Sequence, residues 1–123
     1  MLVDDNELDN FINKKLVESD SFASETSIHT SAESALEYLK NNGADDARIP
    51  DLIFLDIMMP EMDGFGFLEA FDRLPDAVKG KSRIVMLSTS DSFKDLNRAN
   101  QNKYVKRFLN KPLNAQVLGA LNI

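Results

Sequence analysis

Three aspartates, one serine and one lysine are the residues of this chain best placed to share a reaction. Asp4-Asp5 follow the short apolar run Leu2-Val3, and Asp56 ends the run Leu52-Ile-Phe-Leu55. Ser88 follows Ile84-Val-Met-Leu87, and Lys111 follows the mixed stretch Tyr104 to Leu109. If each run is a strand, all five groups stand at strand ends. Carboxylates gathered there repel one another unless a cation offsets the repulsion or one of them protonates. With oxygen ligands only, Mg²⁺ or Mn²⁺ is the natural guest, whereas zinc would prefer histidine or cysteine. Mg²⁺ retains waters and accepts phosphate oxygens, so a phosphoryl group suits the same place, and a carboxylate can attack it to give an aspartyl phosphate. Lys111 could then set its charge on one phosphoryl oxygen while Ser88 donates a hydrogen bond to another. Singly, each residue has an ordinary role: Asp4 or Asp5 as a helix cap, Asp56 as a turn residue, Ser88 as a cap, Lys111 as a surface lysine. Their coincidence at strand ends argues for a site.

The elements that must position these groups alternate along the chain. Leu8, Phe11, Ile12 and Leu16 recur at helical spacing and predict a helix from about Glu7 to Glu18. A weak strand is expected over Ser24 to Thr30, carrying Ile28. Thr30-Ser-Ala-Glu33 reads as a capping box opening a helix with Ala32, Ala35, Leu36 and Leu39 inward, ended by Gly43. The run from Leu52 is apolar on both faces, as in a parallel sheet covered by helices. Asp63-Gly64 leads into a helix buried through Phe67, Leu68 and Phe71, and Ile84 to Leu87 is a second buried strand. Ser90-Asp-Ser92 can cap a helix of thin apolar content: Phe93, Leu96 and Ala99. Lys106 and Arg107 mark the following strand as an edge, Pro112 closes it, and Val117, Leu118 and Leu121 mark a last helix. Alternation of this kind predicts an α/β fold with a parallel sheet and right-handed crossovers, in which ligands bind outside the carboxyl ends of the strands.

Composition narrows the function. The 123 residues suffice for one domain, and 43% of them are hydrophobic. A net charge of −6 opposes non-specific binding to nucleic acid by this segment. There is no cysteine, which removes disulfide and thiolate chemistry, and the single His29 is expected as a strand or surface residue. No apolar run approaches the ~18 residues that span a membrane, and Met1-Leu2-Val3 runs straight into acid rather than into a signal peptide. The expectation is a cytoplasmic protein without membrane partners.

Leu2-Val3-Asp4-Asp5-Asn6 resembles the acidic opening of receiver domains of two-component response regulators. Leu55-Asp56-Ile57-Met58-Met59-Pro60-Glu61-Met62-Asp63-Gly64 resembles their phosphorylation segment over its whole length, Val85-Met86-Leu87-Ser88 their switch strand, and Asn110-Lys111-Pro112-Leu113 their lysine–proline turn. The resemblance covers almost the entire chain. It implies a flavodoxin-like sheet of strand order 2-1-3-4-5. It further implies that Asp56 accepts a phosphoryl group from a phosphohistidine on a histidine kinase or a histidine phosphotransfer protein. Asp5, Asp56 and the Met58 carbonyl would ligate Mg²⁺ (or Mn²⁺), and Asp4 would act mostly through water. Lys111 would stabilise the phosphoryl group, with a cis bond to Pro112. Ser88 would close on the phosphoryl oxygen while Phe108 turns inward, and Met58 and Ser90 would tune the phosphate lifetime.

Two features depart from the pattern. Phe108 has no hydroxyl and reports by burial alone, and the first strand has only Met1 to Val3. The chain is therefore expected as a receiver domain over residues 1–123, trimmed at one or both ends. A phosphatase of the haloacid-dehalogenase kind would want a second Asp where Met58 stands, and a degenerate receiver would lack an acid or the lysine. The expected role is a phosphorylation-controlled binding module, not an enzyme acting on other substrates. It would be a monomer or a phosphorylation-dependent dimer. Asn10, Asn13 and Lys14 are the expected kinase-docking face, and Lys94, Arg98, Lys106 and Arg107 the face for a downstream protein.

Overall fold

The computed structural model describes residues 1–19, 23, 25–89 and 93–121. The sequence readings that rest on Ser24, Ser90 and Ser92 lie outside these residues. In chain order the elements are β1 (Leu2–Val3), α1 (Glu7–Ser19), β2 (Ile28–His29), α2 (Ala32–Asn41), β3 (Leu52–Asp56), α3 (Gly64–Phe71), α4 (Asp76–Lys81), β4 (Arg83–Ser88), α5 (Phe93–Asn100), β5 (Val105–Asn110) and α6 (Ala115–Ala120), with a 3₁₀ turn at Asp46–Arg48. The five strands form one parallel sheet in the order β2-β1-β3-β4-β5, as expected.

Side-chain alternation along the strands divides the core in two. Ile53 and Leu55 of β3, with Val3, Ile84 and Met86, meet Ala35 and Leu39 of α2 and Phe67, Leu68 and Phe71 of α3 on one face. Phe54, with Leu2, Val85 and Leu87, meets Val17 of α1 and Leu118 of α6 on the other. Burial on both faces is why β3 and β4 read as unbroken apolar runs. β1 occupies the middle of the sheet with two residues only. Its backbone is tied on both sides: the Leu2 amide donates to Ser27 (2.8 Å) and the Met1 carbonyl accepts from Phe54 (2.9 Å).

Four local expectations are corrected. α1 forms as predicted, but its buried residues are Asn10, Asn13 and Val17, while Leu8, Phe11 and Ile12 are 64%, 56% and 49% exposed. The cause is a polar anchor: the Asn10 amide donates to the Asp4 carbonyl at 2.7 Å, which turns that face of the helix onto the end of β1. Asn10 and Asn13 are therefore unavailable as a docking face. The cap of α2 is Ser31, accepting from the Ser34 amide at 3.1 Å, not Thr30. α2 ends at Asn41, the amide of the following Asn42 donates to the Tyr38 carbonyl at 3.0 Å, and the buried Gly43 lies beyond with no left-handed turn. α4 was not foreseen, because Ala77 and Val78 are too few apolar residues to mark a helix and only Val78 is buried.

The reversed face of α1 has a measurable consequence. Phe11→Ser should change stability by no more than about 0.5 kcal/mol, as for an ordinary surface substitution. Asn10→Ala, which removes a buried hydrogen bond, should cost about 1–3 kcal/mol in chemical denaturation. The reverse ranking would put Phe11 in the core.

Candidate functional site

Parallel strands end on one edge of a sheet, and the register sets how closely those ends align. Val3 pairs with Leu55, Asp56 with Leu87, and Ser88 with Asn110. Asp4 and Asp5 thus emerge beside Asp56, and Ser88 stands one residue beyond the partner of Asp56. Lys111 follows β5, its amide donating to the Ser88 carbonyl at 2.8 Å and its peptide bond to Pro112 cis, as the resemblance implied.

Carboxylate oxygens of Asp4, Asp5 and Asp56 lie within 4.8 Å of one another. Asp4 and Asp56 are buried and Asp5 is exposed, so the cluster is reached from solvent at the Asp5 side. Asp4 also shapes the start of α1, its Oδ1 accepting from the Asn6 amide at 2.9 Å. Lys111 Nζ reaches Asp4 Oδ2 at 2.6 Å, Asp9 Oδ2 at 3.0 Å and Asp56 Oδ1 at 3.3 Å. Asp9 is the member the sequence reading missed. An acid in the first turn of a helix is ordinarily a partner of the helix dipole. The available signal was its place one turn after the acidic pair.

Three carboxylates on one ammonium, with that of Asp5 beside Asp4 and Asp56, leave a surplus of negative charge. Burial raises Asp56 from 3.8 to about 6, and the Asp4 charge adds to this against the pull of Lys111. Burial alone would lower Lys111. Its hydrogen bonds to Asp4 and Asp9 and the charge of Asp56 more than offset that, so the ammonium is held above its ordinary range.

The loop after Asp56 packs as closely as the backbone permits. The Gly64 amide donates to the Ile57 carbonyl at 2.9 Å, and a Cβ on Gly64 would stand 2.9 Å from the Asp56 carbonyl oxygen and 3.0 Å from Ile57 Cα. Only glycine fits so close an approach. The Asp63 carboxylate caps α3 from Gly66 at 2.8 Å, Met59 is buried, and the Met58 side chain is exposed. Ser88 is fully buried. Phe108 is half-buried on β5 opposite Met86, packed against the α2/α3 side of the core.

The family model "Response regulator receiver domain" matches residues 1–121. A crystal structure of a response regulator receiver protein from Dyadobacter fermentans is 34% identical, with a TM-score of 0.84 over 95% of this chain and 88% of that one. A chain in the CheX–CheY–BeF₃–Mg²⁺ complex of Borrelia burgdorferi is 25% identical, with a TM-score of 0.77 over 96% of this chain and 81% of that one. The probable methanogenesis regulatory protein FilR2 of Methanothrix harundinacea is 29% identical over 118 residues, 96% of this chain and 74% of that protein.

The raised Asp56 carboxyl makes a signed prediction for the metal-free protein. The ionised form costs stability, fully so above about pH 6, and the cost shrinks as pH falls from there toward 3.8, where the unfolded carboxyl protonates too. Asp56→Asn keeps the shape and removes the charge. Its gain in Tm over the native protein should be largest near neutral pH and should vanish at about pH 4. A loss of Tm in Asp56→Asn near neutral pH that shrank on acidification would mean that partners hold Asp56 ionised.

Proposed function

The chain belongs to the response regulator receiver domain family, and from that premise we propose that Asp56 is the phosphoacceptor of a two-component relay. The observation that carries the reading is the convergence of Asp4, Asp5, Asp56 and Lys111 on one rim. An Asp56 carboxylate oxygen attacks the phosphorus of a phosphohistidine on a histidine kinase or phosphotransfer protein. The P–N bond breaks, the imidazole keeps the electron pair, and the phosphoryl group stays on Asp56. Lys111 offsets the charge of the phosphoryl oxygens, and the Ser88 hydroxyl donates to one of them.

The donor set suits a hard cation: oxygens only, three carboxylates within 4.8 Å, and an exposed side at Asp5. Asp5, Asp56 and the Met58 carbonyl would hold Mg²⁺ (or Mn²⁺), with Asp4 acting through water. When bound, it supplies positive charge against the carboxylates and the phosphoryl oxygens. The similar Borrelia chain comes from a complex containing BeF₃ and Mg²⁺, which supports the same assignment here.

The response runs from Ser88, which follows the phosphoryl oxygens, to Phe108, which moves further into the core beside Met86. Leu8, Phe11 and Ile12 form an exposed apolar face on the helix that starts at the rim, and we assign docking of the phosphodonor to it in place of Asn10 and Asn13. Lys94, Arg98, Lys106 and Arg107 are exposed and form the output face, with the Arg98 guanidinium 4.1 Å from the centre of the Phe65 ring.

Accepting and responding are separable. After acetyl phosphate and Mg²⁺, the native protein should gain one phosphoryl group by intact mass and Asp56→Asn none. Ser88→Ala should be labelled on Asp56 yet lose the NMR response at Phe108. A lost hydrogen bond to a charged group costs about 1.5–3 kcal/mol, enough to move a two-state equilibrium about tenfold or more. Labelling of Asp56→Asn would refute the acceptor assignment. A native response in phosphorylated Ser88→Ala would refute the switch alone.

A further inference from the structure

Lys111 is committed before any phosphoryl group arrives. Its ammonium has three N–H donors and faces three carboxylates: Asp4, Asp9 and Asp56. A phosphoryl oxygen on Asp56 must therefore displace one of them. The Asp4 and Asp56 side chains are 5% and 7% exposed, whereas Asp9 is 36% exposed, so water can take over the Asp9 contact at least cost. Asp9 is held in the first turn of α1, where its backbone amide donates to Asn6 Oδ1 at 3.0 Å. α1 is in turn fixed to β1 through Asn10.

We propose that Asp9 is a positioning residue that tethers Lys111 in the resting state and must release it for phosphoryl transfer. The proposal rests on the reading of Asp56 as phosphoacceptor. Asp9 thereby slows loading of the site, both by occupying the ammonium and by repelling the incoming phosphoryl group. In the test reaction an Asp56 oxygen bonds to the phosphorus of acetyl phosphate, the P–O bond to the acyl oxygen breaks, and acetate leaves with the electron pair.

The experiment measures single-turnover phosphorylation by acetyl phosphate with saturating Mg²⁺ at low salt, together with the NMR signal of the Lys111 side-chain ammonium. Asp9→Asn should react about two- to fivefold faster than the native protein, the scale of one partly exposed ion pair. The gain should shrink as salt screens the charges, and the Lys111 signal should shift before any donor is added. Asp9→Glu keeps the charge and should restore the native rate. Glu7→Gln removes an equal charge from the same turn without touching Lys111 and should leave the rate unchanged. An unchanged or slower Asp9→Asn beside a normally labelled native protein would overturn the tether while the acceptor reading stood, as would an unmoved Lys111 signal. No labelling of the native protein at Asp56 would overturn both.

Discussion

The ammonium of Lys111, drawn from one end of the sheet, is the group that lets carboxylates from three other segments share a rim. Its contacts with Asp4, Asp9 and Asp56 span the sequence from the end of β1 to the turn after β5. Buried acids repel, and a single cation does not neutralise them. The surplus appears in Asp56, which burial and the Asp4 charge push up to about 6 even with Lys111 alongside. The rim thus carries a surplus of negative charge that further positive charge would relieve.

What holds the rim in this costly arrangement is the apolar sheet beneath it. β3 and β4 bury both faces, so their ends are fixed by packing rather than by the charged groups. β1 contributes two residues, yet the pairing of Leu2 with Ile28 and Phe54 fixes where the acidic pair emerges. Gly64 lets the turn into α3 close directly over the Asp56 backbone. Lys111 is joined to Ser88 through a backbone hydrogen bond, which links the cation's turn to the strand that carries the hydroxyl.

The sheet and most of the rim were legible in the sequence, because continuous apolar runs ending in Asp56 or Ser88, and a mixed edge run ending at Lys111, leave few alternatives. The resemblance gave the strand order. α1 was harder. Leu8, Phe11 and Ile12 have helical spacing, but spacing identifies a helix without deciding which face is covered, and here Asn10 anchors the opposite face. The apolar residues left outside are the ones assigned to docking. Asp9 was hidden for a related reason: an acid in a first turn has a sufficient local explanation, and only the fold brings Lys111 to it. α4 escaped because one buried valine is too little pattern to read.

Asp4, Asp5 and Asp56 are proposed to form an oxygen site whose mutual repulsion a divalent cation relieves. Thermal unfolding across a Mg²⁺ titration, without any phosphodonor, tests it most directly. A ligand bound only by the folded state stabilises by RT ln(1 + [L]/Kd), which is about 2.7 kcal/mol at a hundredfold excess over Kd. The native Tm should rise in that logarithmic manner, and the rise should be largely lost in Asp5→Asn. A native Tm indifferent to Mg²⁺, or a rise of equal size in Asp5→Asn, would contradict the account.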